Sequence, residues 1–95
     1  MLFVVHCKDK AGSLDVRKAN RGIHLEWLKE LGPRLTLAGP LLTPDGTGPL
    51  GSMIIIEAET LAAARATMAA DPYAKAGLFQ SVDIHPWTRV FGTFS

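Results

Sequence analysis

The chain has 95 residues, of which 47% are hydrophobic and 20% charged, and its formal net charge is +1. This composition indicates one small folded domain and excludes a disordered chain, a clustered basic surface for nucleic acid and a membrane span of roughly 20 apolar residues. The single cysteine, Cys7, excludes an internal disulfide and favours a reducing compartment, so we expect a cytoplasmic protein.

The first two predicted elements are a strand and a long helix. Residues Leu2–Cys7 form a short, apolar and partly β-branched run, which is typical of a strand buried on both faces. After a polar connection, Ser13 can cap a helix that ends near Leu31, because Gly32 and Pro33 follow it.

A helical wheel of this first helix places His24 among apolar residues. The predicted inward face consists of Val16, Asn20, Ile23, Trp27 and Leu31. Arg17 and Arg21 lie at the edge of the apolar sector, where either could hold a substrate carboxylate or phenolate. For Arg17 a solvated side chain is the favoured interpretation. We therefore expect His24 to point toward whatever the helix packs against.

The rest of the chain supplies three more strands and a second helix. In order, we predict a strand over Leu35–Leu42, a turn-rich loop over Thr43–Pro49, a strand over Gly51–Glu57, a helix from Leu61 to about Ala70 and a strand over Ser81–Trp87. Thr60 can cap the second helix. Pro40 and Pro86 each remove a ladder donor, which places their strands at the sheet edges.

This order, β-α-β-β-α-β, predicts a ferredoxin-like α+β fold with a four-stranded antiparallel sheet in the order 4-1-3-2. The whole chain, 1–95, would form one domain, with 91–95 as a short tail. Both helices would cover one face, although strands 1 and 3 are apolar on both faces. Because soluble monomers rarely expose a large apolar patch, we expect a homodimer packed sheet against sheet. The alternative is a monomer whose loop folds over the open face.

The stretch that begins at Asp71 is locally unusual. Pro72 disfavours helical dihedral angles at Asp71, so the second helix should end there with Asp71 extended. Its carboxylate would then meet the negative end of the helix dipole, which is unfavourable. The placement therefore suggests that Asp71 has a partner elsewhere in the chain.

Five short motifs occur in a fixed order. They are Arg21-Gly22-Ile23-His24-Leu25, Leu37-Ala38-Gly39-Pro40-Leu41, Asp71-Pro72-Tyr73, Ala76-Gly77-Leu78-Phe79 and Pro86-Trp87. Together they resemble the YciI-like (YCII-related) domain family over nearly the whole chain, with its R-x-x-H-L, A-G-P, D-P-[FY] and A-G-L-F signatures. Gly22 stands where the family often has proline, which should loosen the helix near His24.

The resemblance implies a dimeric α+β barrel with an active site that pairs His24 with Asp71. It also implies varied chemistry. A related domain is a dehydrochlorinase of chlorinated aromatics, and relatives by fold include muconolactone isomerases and small monooxygenases. Because one fold hosts many functions, this breadth limits what the resemblance says about the reaction.

A His24–Asp71 pair would suit proton transfer. A carboxylate bonded to one ring nitrogen fixes the imidazole tautomer and favours the protonated ring. Such a ring can move a proton to or from carbon, or protonate a leaving group. The alternative is a structural pair that only fixes the packing of helix on sheet.

Four more residues are candidate substrate contacts. Arg21 could hold a carboxylate or phenolate. Gly39 and Ser52 occupy strand positions with room for a ligand or for a close backbone, as does Gly51. Tyr73 could line the pocket with its hydroxyl or only pack.

Metal and thiol chemistry are not expected. His6, His24 and His85 lack the short spacing of metal ligands, so we predict no metal site. Cys7 is interpreted as a small buried thiol rather than a nucleophile. Phosphate-binding and dinucleotide glycine motifs are absent, and no cofactor is expected.

The leading hypothesis is a small homodimeric enzyme of lyase or isomerase type that acts on a small organic acid or phenol. His24 would shuttle a proton, Asp71 would orient it and Arg21 would anchor an anion. A non-catalytic module that binds a small ligand or supports assembly is the first alternative. A cofactor-free monooxygenase, favoured by the fold and Trp27, is the second. The substrate class, aromatic or enolisable, rests on the resemblance.

Overall fold

The computed structural model describes residues 1–94, which form four strands, three helices and one 3-10 turn. These are β1 (Leu2–Asp9), α1 (Leu14–Leu31), the 3-10 turn (Gly32–Arg34), β2 (Leu35–Leu42), β3 (Pro49–Glu57), α2 (Leu61–Ala69), α3 (Pro72–Lys75) and β4 (Phe79–Trp87). Ser95, the end of the predicted tail, lies outside the described residues. Across that described part, none of the helices is long and apolar enough to cross a membrane.

The four strands form one antiparallel sheet in the order β2-β3-β1-β4. This confirms the predicted ferredoxin-like fold and strand order. Pro40 and Pro86 lie in the two edge strands, where a missing backbone donor costs least. The apolar strands β1 and β3 occupy the centre of the sheet.

Three strand boundaries differ from the prediction, and one of them is the start of β3 at Pro49 instead of Gly51. β1 continues to Asp9 instead of ending at Cys7, and β4 begins at Phe79 instead of Ser81. The additional residues of β1 and β4 pair with each other, Asp9 with Phe79, across a register shift that follows Lys8. Because side chains alternate along a strand, Asp9 lies on the same sheet face as Cys7, beneath the helices.

The hydrophobic core lies between one face of the sheet and the helices. Its buried members are Phe3, Val5 and Cys7 of β1, Ile54 and Ile56 of β3, Leu31 of α1, and Ala64 and Met68 of α2. Both long helices therefore cover the same face, as predicted. The backbone N–H of Ala63 donates to the hydroxyl of Thr60 at 3.0 Å, which confirms Thr60 as the cap of α2.

The inward stripe of α1 is more polar than the wheel predicted. Its buried residues are Arg17, His24 and Leu31, whereas Ile23 is 57% exposed. A spacing of seven residues turns through only about 20° less than two full turns, so these three side chains share one stripe. Ile23 precedes His24 by one residue and points about 100° away, toward solvent.

The start of α1 also differs from the prediction. Ser13 occupies the cap position, but its side chain makes no capping hydrogen bond. Only its backbone carbonyl contributes, by accepting from the N–H of Arg17 at 3.1 Å.

The face of the sheet opposite the helices is largely apolar. Strand alternation and register place there Leu2, Val4, Leu37, Leu41, Met53 and Ile55. Met53 and Leu37 are 38% and 37% exposed, and Ile55 is buried between its cross-strand neighbours. We call this surface the open face. The loop over 43–48 does not cover it, because Thr47 and Gly48 line a cavity on the helix side.

In the tail, Phe94 packs near the open face. The ring of Phe94 lies 5.6 Å from that of Trp87, measured between centroids. Phe91, in contrast, is 97% exposed.

The two strand glycines with candidate roles have different surroundings, which a matched pair of variants can test. A Cβ at Gly51 would collide with the backbone carbonyl of Cys7, whereas a Cβ at Gly39 meets no atom within 4 Å. We expect Gly51→Ala to lower the free energy of unfolding by about 1–3 kcal/mol, in the range of overpacked cores. Gly39→Ala is the control and should change it much less. Urea titrations that gave equal losses for both variants would contradict this account.

Candidate functional site

A cavity of about 480 Å³ lies between α1 and the β2–β3 side of the sheet. Its walls combine apolar side chains with a group of polar ones: Leu14, Leu25, Leu28, Leu42 and Ile54, and Arg17, Lys18, Arg21, His24, Ser52 and Tyr73. Gly39 also lines it, so five of the six candidate residues meet here. Asp71, the sixth, is fully buried behind His24. A second cavity of similar volume, between α2 and β4, contains none of the candidate residues.

His24 and Asp71 are joined by a hydrogen bond between His24 Nδ1 and Asp71 Oδ1, at 2.8 Å. They are 47 residues apart in sequence, and they meet because α3 packs against α1. His24 is 7% exposed and Asp71 is 0% exposed. Because Nδ1 is occupied by Asp71, the remaining edge of the ring, with Nε2, is available to a ligand in the cavity.

The local role of Asp71 differs from the expectation. Its backbone is extended, as predicted, with φ −59° and ψ 125°. Its carboxylate, however, caps the start of α3 instead of opposing the end of α2: the N–H of Tyr73 donates to Oδ1 at 2.9 Å. Asp followed by Pro is a favourable start for a helix, since Asp can cap and Pro needs no N–H at the first position. That signal was present in the sequence.

One oxygen of Asp71 has no partner. Among residues 1–94, Oδ2 is the sole fully buried side-chain nitrogen or oxygen without a hydrogen bond. A buried carboxylate is costly unless its charge is compensated. In the described structure, the one titratable side chain bonded to Asp71 is His24, so the two groups form a single unit.

Tyr73 both lines the cavity and packs. Its ring stacks on His24 with 3.9 Å between centroids and 13° between planes, and Phe79 meets it edge-on at 6.1 Å. Burial raises the pKa of the Tyr73 phenol, against the opposing effect of the nearby arginines, so the hydroxyl is neutral near pH 7. The stacking fixes the plane in which the His24 ring lies.

Arg17 was interpreted as solvated, and this interpretation is wrong. The side chain is 6% exposed, and Asp9 accepts two of its hydrogen bonds, from Nε at 2.7 Å and from Nη2 at 3.0 Å. Although burial opposes its charge, the hydrogen bond and charge of Asp9 raise the pKa of Arg17, so it remains a cation. The sequence did not indicate this pair, because Asp9 lies in the polar connection that follows the predicted end of the first strand at Cys7.

Arg21, the arginine of the family motif, is exposed and borders the cavity. Ser52 is buried, and its hydroxyl accepts a hydrogen bond from Arg17 Nη2 at 2.9 Å. Ser52 therefore contacts the site through Arg17 as well as lining it directly.

The described residues contain no group of three or more His, Cys, Asp or Glu side chains that could hold a metal ion. His6 and His85 are exposed on the open face, on the other side of the sheet from His24. Cys7 is fully buried, and burial, reinforced by the charge of Asp71, raises its pKa to about 12. It is therefore a neutral core thiol near pH 7.

Taken together, the fold and the site define a ferredoxin-like α+β domain whose cavity combines apolar walls, cationic side chains and a buried His–Asp pair. The chain belongs to the YCII-related domain family, whose model matches residues 1–88. It is 41% identical to the protein YciI of Escherichia coli O6:H1, and 37% identical to an uncharacterized protein of Haemophilus influenzae. Each comparison covers 96% of this chain and 100% of the relative.

Two solved structures are also similar to this chain. The 5-chloro-2-hydroxyhydroquinone dehydrochlorinase of Burkholderia phenoliruptrix AC1100, solved with 2,5-dihydroxybenzoquinone, has a TM-score of 0.86 and 38% identity, covering 93% of this chain and 94% of that one. A Bacteroides thetaiotaomicron protein classed with the antibiotic biosynthesis monooxygenases has a TM-score of 0.59 at 16% identity, covering 96% and 90%. The second similarity shows the fold alone.

The hydrogen bond to Asp71 leads to a prediction about the His24 tautomer. We expect the neutral ring to carry its proton on Nδ1, donated to Asp71, and to leave Nε2 unprotonated. NMR of the ring nitrogens distinguishes the two forms directly. Asp71→Asn keeps a side chain that can cap α3, but its amide can donate or accept, so we expect a mixture of tautomers. A wild-type ring protonated on Nε2 alone would contradict the assignment.

Proposed function

We propose that this chain is a small-molecule enzyme of lyase or isomerase type in which His24 transfers a proton. The observation that carries the proposal is the His24–Asp71 hydrogen bond, buried on the Asp71 side and open to a cavity on the His24 side. An imidazole held in this way can exchange a proton with a bound ligand, while a purely structural pair needs no cavity beside it.

The neighbours of His24 suit this role. Asp71 selects the tautomer and stabilises the imidazolium that forms when Nε2 takes up a proton. Tyr73, stacked at 3.9 Å, restricts rotation of the ring, so the proton is exchanged in one direction. This chemistry needs no cofactor, because the ring itself supplies and receives the proton.

The lining of the cavity favours a small organic anion with an apolar or aromatic body. Three cationic side chains line it, those of Arg17, Lys18 and Arg21, and no carboxylate does. Arg21 is the candidate anion anchor at the rim. Gly39 borders the cavity through its backbone, because its register opposite Met53 directs a side chain at this position to the open face.

The dehydrochlorinase from Burkholderia suggests a specific reaction to test, the loss of HCl from 5-chloro-2-hydroxyhydroquinone. The balanced step removes two hydroxyl protons, breaks the C–Cl bond and forms one C–H bond. One proton reaches the ring carbon, the other leaves with chloride, and the ring becomes a hydroxybenzoquinone. We propose that His24 Nε2 carries the proton between oxygen and carbon in such a step.

A second candidate is a module that binds a small ligand without turning it over. The cavity supports both candidates, because an enzyme and a binding module each need a site for the ligand. The monooxygenase interpretation has weaker support, because it depends on the fold alone, at 16% identity.

Substitution of His24 tests the catalytic proposal. On 5-chloro-2-hydroxyhydroquinone, we expect His24→Gln to lower the rate of chloride release by about 10²–10⁴-fold, the usual range for a lost acid–base group. Asp71→Asn should lower the rate less. Lys29→Gln, on an exposed part of α1, is the control and should leave it unchanged. Full turnover by His24→Gln would end the assignment, and binding without chloride release by the wild type would favour the binding module.

We further propose that the chain forms a homodimer through the open face. Apolar side chains from β1, β2 and β3 form a surface there that would be unusual on a soluble monomer. A second copy presents an identical apolar surface, so a two-fold contact buries both at once. The loop that would have offered an alternative cover is on the helix side.

Two glutamate substitutions on opposite faces of the sheet test the dimer. Met53, on the open face, is 38% exposed, and Val82, on the helix side of β4, is 40% exposed. We expect light scattering to give twice the monomer mass for the wild type and for Val82→Glu. Met53→Glu should be monomeric, because a dimer would bury two unpaired carboxylates. A monomeric wild type, or a dimeric Met53→Glu, would overturn the proposal.

A further inference from the structure

The strongest unassigned feature is the guanidinium of Arg17, buried at the edge of the candidate site. A guanidinium offers five N–H donors in a fixed plane. Nε donates to Asp9 Oδ2 at 2.7 Å, and Nη2 donates to Asp9 Oδ1 at 3.0 Å and to Ser52 Oγ at 2.9 Å. These bonds use Nε and Nη2, and they leave Nη1 to the Tyr73 side chain, whose hydrogen bonding also raises the pKa of Arg17, and to the cavity.

The Nη1 nitrogen is on the cavity side. Within residues 1–94, Asp71 Oδ2 is the one fully buried side-chain nitrogen or oxygen without a partner, so Arg17 Nη1 still touches solvent. Since the side chain is 6% exposed and lines the cavity, that solvent is the cavity. A buried cation that lines a cavity beside the Tyr73 side chain is a candidate binding group rather than a surface charge.

The Arg17 side chain is connected to His24 through the ring of Tyr73. The guanidinium carbon of Arg17 lies 4.7 Å from the centre of the Tyr73 ring, and that ring stacks on His24 at 3.9 Å. Arg17 and His24 are two turns apart on α1, about 10.5 Å along the helix axis. Tyr73 therefore bridges the two ends of the cavity wall, with Arg17 at one end and His24 at the other.

We propose that Arg17 is a ligand-binding residue: Nη1 donates to a negatively charged oxygen on a planar ring, while Asp9 and Ser52 hold the guanidinium in place. This deepens the proposed function and rests on it, because the bound oxygen determines which ring carbon lies near His24 Nε2. Asp9 fixes the plane by a two-point contact that lysine cannot reproduce. Arg21, which is exposed at the rim, then attracts the anion, and Arg17 orients it.

Binding of 2,5-dihydroxybenzoquinone, an acidic ring with four oxygens, is the first test and can be measured by calorimetry. We expect Arg17→Lys to weaken binding by about tenfold or more, the usual worth of a hydrogen bond to a charged group. Lys29→Gln is the control and should bind like the wild type. Hydroquinone, a neutral ring, should lose much less affinity than the quinone in Arg17→Lys.

A structural role for Arg17 is distinguished by two further measurements. The His24 tautomer, read by NMR of the ring nitrogens, should be unchanged in Arg17→Lys if the residue acts on the ligand. If Arg17→Lys does not fold, the wild type still gives an answer, because the Nε–H signal of Arg17 should shift when the quinone or benzoate binds.

Three outcomes would overturn the proposal. They are unchanged quinone affinity in Arg17→Lys, equal losses for quinone and hydroquinone, and a wild type that binds neither the quinone nor benzoate. Quinone binding that depends on Arg17, together with no chloride release from 5-chloro-2-hydroxyhydroquinone, would instead count against the lyase proposal alone. The two failures are therefore distinguishable.

Discussion

The candidate site depends on the two hydrogen bonds of the buried Asp71 carboxylate. One oxygen, Oδ1, receives the N–H of Tyr73 and bonds to Nδ1 of His24, at 2.9 and 2.8 Å. A carboxylate that is 0% exposed cannot exchange these partners for water without opening the structure. The bond to Tyr73 starts α3, and the bond to His24 ties α3 to α1. The same oxygen therefore builds a local turn and orients the ring that faces the cavity, so the site cannot be rearranged without loss of stability.

The stripe of α1 that faces the sheet divides the molecule into two regions. Leu31, at its C-terminal end, packs in the apolar core with residues of β1, β3 and α2. Arg17 and His24, toward its N-terminal end, lie over the cavity and form the buried polar pairs. Buried ion pairs contribute little net stability compared with well-packed apolar side chains. A domain of 95 residues has few core positions, so the two polar residues on this stripe occupy places that apolar side chains would otherwise fill. The proposed function gives a reason for this choice.

The features that could be predicted from sequence were those with a repeated or strongly local signal. Two apolar runs and two prolines predicted which strands are central and which lie at the edges. The helical wheel was sufficient to predict that His24 points inward. Arg17 could not be predicted, because an arginine at the edge of an apolar sector is usually solvated and its partner Asp9 followed an apparent strand end. The cap at Asp71 was missed because α3, with four residues, is too short to show helical periodicity. Long-range pairs such as Arg17 with Ser52, 35 residues apart, have no signal in a single sequence.

Strand β3 connects the candidate site to the open face, because its side chains alternate between them. Ser52 and Ile54 point toward α1, where Ser52 accepts a hydrogen bond from Arg17, while Met53 and Ile55 point to the open face. A second copy packed on the open face would therefore press on the strand that positions Ser52. Loss of that contact would leave Met53 in water and give β3 more freedom at the residues that fix the Arg17 guanidinium. Association and ligand orientation would then be coupled through the backbone of one strand, without any residue of the second copy entering the cavity.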